Sequence, residues 1–149
     1  MRKVEVSIEL DCSAEKAFNA FIDHRQLKEW WNIDRSLIEA KQGGVYSLAW
    51  NISTHGFQYI STGLITVFDP GCELLIDHLV YFNPEKSILG PTYLSVKFEN
   101  GNSNTIIKLI QGGYRQGEDW DWFYEAVKEA WPKVLVNLKI FLEQKKLAR

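Results

Sequence analysis

Hydrophobic residues near the end of the chain recur at helical spacing. When each residue from Glu118 to Arg149 is placed 100° from the one before, many apolar side chains lie within about 80° of Val127. They are Trp120, Phe123, Tyr124, Ala130, Trp131, Val134, Leu135, Leu138, Phe141 and Leu142. Acidic residues at the start and basic residues at the end suit a helix dipole. The pattern predicts one long amphipathic helix whose apolar face closes a core.

Pro132 lies inside this predicted helix, where it removes a backbone hydrogen bond at a cost of about 3 kcal/mol. Several neighbouring side chains each contribute roughly 1.5–3 kcal/mol on burial. They are Trp131, Val134, Leu135 and Leu138. We therefore expect a kink near residues 128–132 rather than a break.

Alternation of apolar and polar residues predicts antiparallel strands before that helix. From Lys3 to Leu10, apolar residues occupy every second position. Six further segments are bounded by turn-forming residues: Leu37–Ala40, Val45–Ile52, Phe57–Phe68, Glu73–Phe82, Thr92–Glu99 and Asn104–Gln111. Gly112 and Gly113 are predicted to end the sheet. The stretch Asn83–Pro91 is predicted to be the most mobile loop.

Two short helices are predicted after the first strand. Ser13 is a good N-cap for a helix over Ala14–Ile22. Asp23 and Gln26 form a capping box for a second helix that ends near Trp31. The order of one strand, two short helices, six strands and one long helix predicts an α+β fold.

Composition narrows the classes of function. The 149 residues are 46% hydrophobic and 24% charged, which predicts a single domain over residues 1–149. The net charge of −2 and the lack of a basic patch argue against nucleic-acid binding. No apolar run approaches the roughly 20 residues of a membrane span, and the first ten residues do not resemble a signal peptide. Cys12 and Cys72 are interpreted as buried thiols rather than a disulfide, which favours a cytoplasmic protein.

Several short motifs occur in an order known from one superfamily. They are Ser13–Phe18, Leu27–Trp31, Gly43–Tyr46, Gly63–Ile65 before Asp69 and Pro70, Thr105–Leu109, and Trp131 with Leu135 and Leu138. The chain resembles the helix-grip fold of the START and birch-pollen-allergen (SRPBCC) superfamily. Within it, the chain is similar to the family named after the activator of the ninety-kilodalton heat-shock protein's ATPase. The resemblance implies a curled antiparallel sheet of six to seven strands around a long kinked C-terminal helix, with a hydrophobic cavity between them.

This resemblance does not by itself choose a function. Members of the superfamily include lipid carriers, hormone receptors, polyketide aromatases or cyclases, and co-chaperones. Many relatives carry a His near the end of the penultimate element, where this chain has Gln111, and this difference argues against acid–base chemistry there. The chain shows no extra N-terminal domain of the kind that heat-shock activators carry, so we rank a co-chaperone role below ligand binding.

Aromatic residues make up 13% of the chain, including six Trp, and they are the first candidates for a pocket lining. A pocket for an aromatic molecule needs flat side chains with a polar tip on rigid elements. The candidates are Trp31, Tyr46, Trp50, Tyr59, Trp120, Tyr124 and Trp131. Each alone is more simply a core residue, but together they predict an internal cavity.

His78 and Gln111 are the polar candidates for ligand binding. His78 lies in an apolar strand beside Asp77, so one of the two should point inward, as a ligand anchor or as a hydrogen-bonded core residue. His24, His55 and His78 lack metal-ligand spacing, and we expect no metal and no cofactor. We predict no catalytic residues, since no nucleophile triad can be assembled. The groups left for acid–base chemistry are Asp77, His78, Gln111, Tyr114 and Arg115.

Some apolar residues of the long helix lie away from its predicted core face: Trp122, Val136, Ile140 and Leu147. Exposed apolar residues are common, and a kink at Pro132 would turn the last three back towards the protein. The alternative is a partner surface, for which a homodimer is the first candidate.

These observations predict a cytoplasmic, cofactor-free protein that binds a small hydrophobic or aromatic molecule between the sheet and the C-terminal helix. One alternative is a co-chaperone-like stimulator of a heat-shock ATPase, which would act through its surface. The other is an enzyme similar to polyketide cyclases or aromatases.

Overall fold

The computed structural model describes residues 1–101 and 103–147, with side chains up to residue 144. Within these residues the strands are β1 (Arg2–Leu10), β2 (Arg35–Ile38), β3 (Val45–Trp50), β4 (Tyr59–Asp69), β5 (Glu73–Phe82), β6 (Leu89–Asn100) and β7 (Thr105–Tyr114). The helices are α1 (Ala14–Ala20), α2 (His24–Trp30) and α3 (Glu118–Leu147). All strand pairs are antiparallel, and the curled sheet has the order β1-β7-β6-β5-β4-β3-β2. The predicted α+β helix-grip fold is confirmed.

Helices α1 and α2 connect β1 and β2, which lie at opposite edges of the sheet. The Ser13 hydroxyl accepts a hydrogen bond from the Lys16 amide at 3.2 Å, as expected of an N-cap. The Asp23 carboxylate accepts from the Arg25 amide at 3.0 Å and from the Gln26 side chain at 3.1 Å. Both predicted helix starts are therefore confirmed.

Helix α3 continues through Pro132 without interruption, which confirms the prediction that the proline does not break the helix. The kink at this proline stays a prediction. Buried residues follow on one side of the helix: Trp131, Leu135, Leu138 and Leu142. Lys139 Nζ donates to the Glu9 carbonyl at 3.0 Å and so joins α3 to β1. The last two residues of the predicted helix, 148 and 149, lie outside the described residues.

The two strands before α3 are longer than predicted. β6 begins at Leu89, so part of the predicted mobile loop, including Pro91, belongs to the sheet. β7 continues to Tyr114, and the prediction that Gly112 and Gly113 end the sheet is wrong. Gly113 has φ of +91° and lies where the register against β1 shifts by one residue. This is a bulge in a backbone conformation that favours glycine, and pairing continues beyond it.

A second bulge lies in β5. The register shifts between Asp77 and Val80 against β4 and between Ile76 and Leu79 against β6. The extra residue is His78, which has φ of +51° and is exposed, whereas Ile76 and Leu79 are buried. The prediction that Asp77 or His78 points into the core is therefore wrong. The extra residue in the bulge lets Ile76 and Leu79 both be buried, while the side chains of Asp77 and His78 lie outside the core.

The cysteines differ in their surroundings. Cys12 is buried, as predicted, whereas Cys72 is exposed, which corrects the prediction of two buried thiols. Neither forms a disulfide in the described part of the chain. No helix among the described residues is long and apolar enough to cross a membrane.

The packing of α3 predicts a contrast between two positions on that helix. Leu138 is fully buried and Val136 is 49% exposed. We expect Leu138→Ala to lower the free energy of unfolding by about 2–5 kcal/mol, because it removes buried methyl groups and leaves a void. Val136→Ala, the matched control, should change it by no more than about 0.5 kcal/mol. Urea denaturation followed by circular dichroism measures both, and equal effects would contradict this packing.

Candidate functional site

A cavity of about 250 Å³ lies between the curled sheet and α3. The sheet contributes Tyr46, Leu48, Trp50, Tyr59, Ser61, Ile76, Leu79, Tyr81, Leu94 and Gln111. The helix contributes Trp122, Phe123, Ala126, Val127, Ala130, Trp131 and Val134, and Trp31 follows the end of α2. The wall is therefore mostly aromatic and aliphatic.

Small side chains on α3 explain why the space beneath it is not filled. Ala126, Ala130 and Val134 follow one another at four-residue spacing, so they lie along one side of the helix. Alanine contributes only a methyl group, while Phe123 and Trp131 beside this row are large and buried. The helix thus packs firmly on the sheet through its large residues and leaves a gap under its small ones.

One end of the cavity is built from indole rings and Gln111. The ring centroids of Trp31 and Trp131 are 5.0 Å apart. Trp131 Nε1 donates to Gln111 Oε1 at 2.8 Å, and Trp50 Nε1 donates to the Trp31 carbonyl at 3.4 Å. These hydrogen bonds fix the planes of the rings that face the cavity.

Another part of the wall is a stack of three rings. Tyr81 lies between Tyr59, at a centroid distance of 6.4 Å, and Phe123, at 4.9 Å. The interplanar angles of 13° and 7° make both contacts parallel stacks. These ring contacts hold this aromatic part of the wall in place.

The cavity wall carries no charge at neutral pH, because its titratable side chains are tyrosines. The Tyr46 hydroxyl donates to the Phe21 carbonyl at 2.5 Å, and burial raises the pKa of Tyr46. Burial also raises the pKa of Tyr81. Both hydroxyls therefore stay protonated and act as neutral polar groups.

The structure places most of the predicted ligand-binding residues at the cavity. Those that line it are Trp31, Tyr46, Trp50, Tyr59, Gln111 and Trp131. Three others do not line it. His78 is exposed on the β5 bulge, and Trp120 and Tyr124 pack around Tyr114, with ring centroids 6.3 and 5.5 Å away.

Trp120 and Tyr124 show why the helical pattern was not sufficient. They share the apolar face of α3 with Trp131, but they lie on its other side, and the Arg2 guanidinium is 4.6 Å from the Tyr124 ring centroid. The apolar face is wide enough to cover both the cavity and a solidly packed region beside β1. Periodicity identifies the apolar face as a whole, but it does not show which of its residues line the cavity and which pack beside β1.

Several lining residues were not predicted. Two of them could have been found from the sequence: Tyr81 from the alternation along β5, and Phe123 from its four-residue spacing from Val127. Trp122 was predicted to point away from the core, but it lines the cavity while remaining 39% exposed. It therefore belongs to the rim of the cavity.

The groups considered for acid–base chemistry are mostly elsewhere. Of that set only Gln111 lines the cavity, and Asp77, His78, Tyr114 and Arg115 do not. The Tyr114 hydroxyl is buried without a hydrogen-bond partner among the described residues, and burial raises its pKa. Among the described side chains there is also no group of three or more His, Cys, Asp or Glu that could hold a metal ion.

A short loop between β5 and β6 is attached to α3 beside the rim. Asp119 Oδ2 accepts from both the amide and the hydroxyl of Ser87, each at 2.8 Å. Lys86 Nζ is 4.0 Å from the Asp119 carboxylate and 4.6 Å from the Trp122 ring centroid. The hydrogen bonds from Ser87 lower the pKa of Asp119, so the loop is held by the carboxylate form.

Comparison with known families is decisive for the fold and the family. The profile of the family described as "Activator of Hsp90 ATPase homolog 1-like protein" matches residues 11–143. The chain belongs to this family. The resemblance inferred from the sequence motifs is thereby confirmed. A search of curated protein sequences found no match.

Solved structures of similar fold cover nearly the whole of this family member. The Aha1 dimer from Colwellia psychrerythraea is 17% identical, with a TM-score of 0.72 over 94% of this chain and 95% of that one. Protein MLL2253 from Mesorhizobium loti is 16% identical, with a TM-score of 0.74 over 96% and 98%. CalU16 from Micromonospora echinospora is 15% identical, with a TM-score of 0.69 over 99% and 80%. At these identities the likeness concerns the fold.

The Asp119 contact predicts how the rim of this family member responds to substitution. Asp119→Ala should speed hydrogen exchange of the Ser87 amide, because the amide loses its acceptor. Glu118→Ala removes the neighbouring acidic residue and is the matched control. Lowering the pH should likewise reduce the protection factor of the Ser87 amide, which compares its exchange rate with the intrinsic rate at the same pH. The pKa of Asp119 is lowered in the folded protein, so the contact is fully present above about pH 4 and is lost as the pH falls through that pKa. Exchange measured by NMR that is equal in both variants would contradict the contact.

Proposed function

We propose that this protein binds a small hydrophobic or aromatic molecule in the cavity between the sheet and α3. The observation that carries the proposal is a cavity of about 250 Å³ with a largely aromatic and aliphatic wall. An apolar cavity of about 150 Å³ in another protein is large enough for benzene. The space here suits about two fused rings, and because the cavity is open at its rim, a third ring of a larger molecule would extend past it.

The uncharged wall favours a neutral ligand. A charged group that enters an apolar cavity loses its hydration, and this loss is costly unless an opposite charge compensates it. The titratable lining residues are tyrosines, and burial holds Tyr46 and Tyr81 in the neutral form. The proposed ligand is therefore uncharged where it meets the wall.

The wall is also held in place before a ligand arrives. Tyr46 is hydrogen-bonded to the Phe21 carbonyl, and Trp131 is hydrogen-bonded to Gln111. Tyr81 is stacked between two rings. Binding costs less when few side chains have to become ordered. This arrangement supports a ligand-binding role over a merely imperfect core.

We also propose a cytoplasmic location and a homodimer. Cys72 is an exposed thiol, which persists in a reducing compartment. Val136 and Ile140 are 49% and 48% exposed at four-residue spacing on α3, while the side chain of Leu147 lies outside the described residues. A solved protein of this fold is the Aha1 dimer from Colwellia psychrerythraea. Sedimentation that shows only monomer at every concentration would remove the dimer.

The second candidate function is stimulation of a heat-shock ATPase, which membership in the family favours. That activity would depend on the protein surface and would survive a filled cavity. The cyclase or aromatase alternative has less support, since Asp77, His78, Tyr114 and Arg115 lie outside the cavity lining.

A cavity-filling substitution separates these functions. Val127 lies in the helical part of the wall, so Val127→Trp should place a ring in the cavity and weaken binding of the neutral dye N-phenyl-1-naphthylamine about tenfold or more. Val136→Trp adds the same ring to the exposed side of α3 and should bind the dye as the unsubstituted protein does. Dye emission on titration measures both. Equal affinities in the two variants would contradict binding in the cavity.

The same pair of variants tests the second candidate. Stimulation of a purified Hsp90-type ATPase that persists in Val127→Trp would establish a surface activity independent of the cavity. Absence of any stimulation by the unsubstituted protein would remove the co-chaperone candidate.

A further inference from the structure

Gln111 lines the cavity, and its side-chain amide is held in a fixed orientation. Its side-chain oxygen accepts from Trp131 Nε1 at 2.8 Å, and the two residues are only 7% and 5% exposed. An indole nitrogen can donate but cannot accept. The amide oxygen must therefore face Trp131, and the NH₂ group is not used in this contact.

That NH₂ group has no hydrogen-bond partner among the described residues, although buried amides are normally paired. The Tyr114 hydroxyl and Arg2 Nε also lack partners but are fully buried, whereas the NH₂ group of Gln111 keeps some accessible surface. Gln111 lines the cavity. Its partner in the adjacent strand, Leu94, is apolar and lines the same cavity. The wall thus carries one oriented, unused donor in apolar surroundings.

We infer that the ligand is apolar over most of its surface and carries a hydrogen-bond acceptor, such as a carbonyl oxygen, at the end that meets Gln111. This inference rests on the proposed function and specifies its ligand. Gln111 determines the specificity, and Trp131 is the positioning residue that keeps the donor turned to the cavity. Ser61 also lines the cavity, but its hydroxyl both donates and accepts, so it imposes no such choice.

A pair of probes of nearly equal shape tests the inference. 2-Acetylnaphthalene carries a carbonyl oxygen, and 2-ethylnaphthalene replaces that carbonyl by a methylene group. Affinities come from displacement of N-phenyl-1-naphthylamine. A site that supplies a hydrogen bond to one group discriminates against the analogue that lacks it. We expect the ketone to bind about three- to tenfold more tightly than the hydrocarbon.

Gln111→Met removes the amide donor but also leaves Trp131 Nε1 without its acceptor, so it is combined with Trp131→Phe, which removes that second donor. In this double variant the preference for the ketone should disappear or reverse. The ratio of the two affinities is the readout, because a general loss of packing would weaken both probes together. Gln144→Met changes an exposed glutamine of α3 that does not line the cavity, so it is the matched control and should keep the preference.

A second measurement uses the unsubstituted protein and so does not depend on the folding of a variant. The ¹H–¹⁵N signals of the Gln111 side-chain amide should lie further downfield in the complex with the ketone than in the complex with the hydrocarbon, since both probes carry the same naphthalene ring and only the ketone accepts a hydrogen bond.

The outcomes separate this inference from the proposed function. If the dye binds but the ketone shows no preference over the hydrocarbon, or if neither displaces it, the cavity still binds ligands and the assignment of Gln111 is overturned. A preference that survives the combined Gln111→Met and Trp131→Phe substitutions also overturns it. If the dye does not bind either, the proposed function fails and the inference fails with it.

Discussion

The packing of α3 across the sheet is the contact on which the rest of the structure depends. Leu135 and Leu138 of α3 are buried, and each contributes roughly 1.5–3 kcal/mol on burial. Together with Trp131 they outweigh the loss of about 3 kcal/mol at Pro132, so the helix continues through it. Lys139 adds a hydrogen bond to the end of β1. A helix that stopped at the proline would remove Leu135, Leu138 and Leu142 from the core.

The same helix face does two different things along its width. On one side large residues meet other large residues, as Trp120 does at Tyr114, and the region is solid. On the other side the small residues Ala126 and Ala130 line a space that is left open. The hollow therefore results from side-chain size on a continuous helix and needs no irregularity in the helix backbone. This division makes a firm fold and a preformed pocket compatible.

The sheet must bend around α3 while its strands stay hydrogen-bonded to one another. The bulge at His78 adds a residue to β5, and Gly63 on β4 lies against it. A Cβ at position 63 would lie 2.8 Å from the Asp77 carbonyl oxygen and 2.9 Å from a methyl group of Ile76, so glycine allows the close approach. Gly113 serves the equivalent bulge between β7 and β1. Both devices increase twist where a curled sheet needs it.

Features that depend on neighbouring residues could be predicted from the sequence alone: strand alternation, the caps at Ser13 and Asp23, the long helix, and the motif order that indicates the family. These follow from backbone geometry with periods of 2 and 3.6 residues, which are local. The tertiary structure alone decided that His78 faces outward, that Tyr124 lies beside β1 and not in the cavity, and that Gln111 meets Trp131. A single bulged residue reverses the direction of a side chain, and the width of a helix face leaves its contacts undecided. Such outcomes depend on which distant strand pairs with which, and no local pattern encodes that.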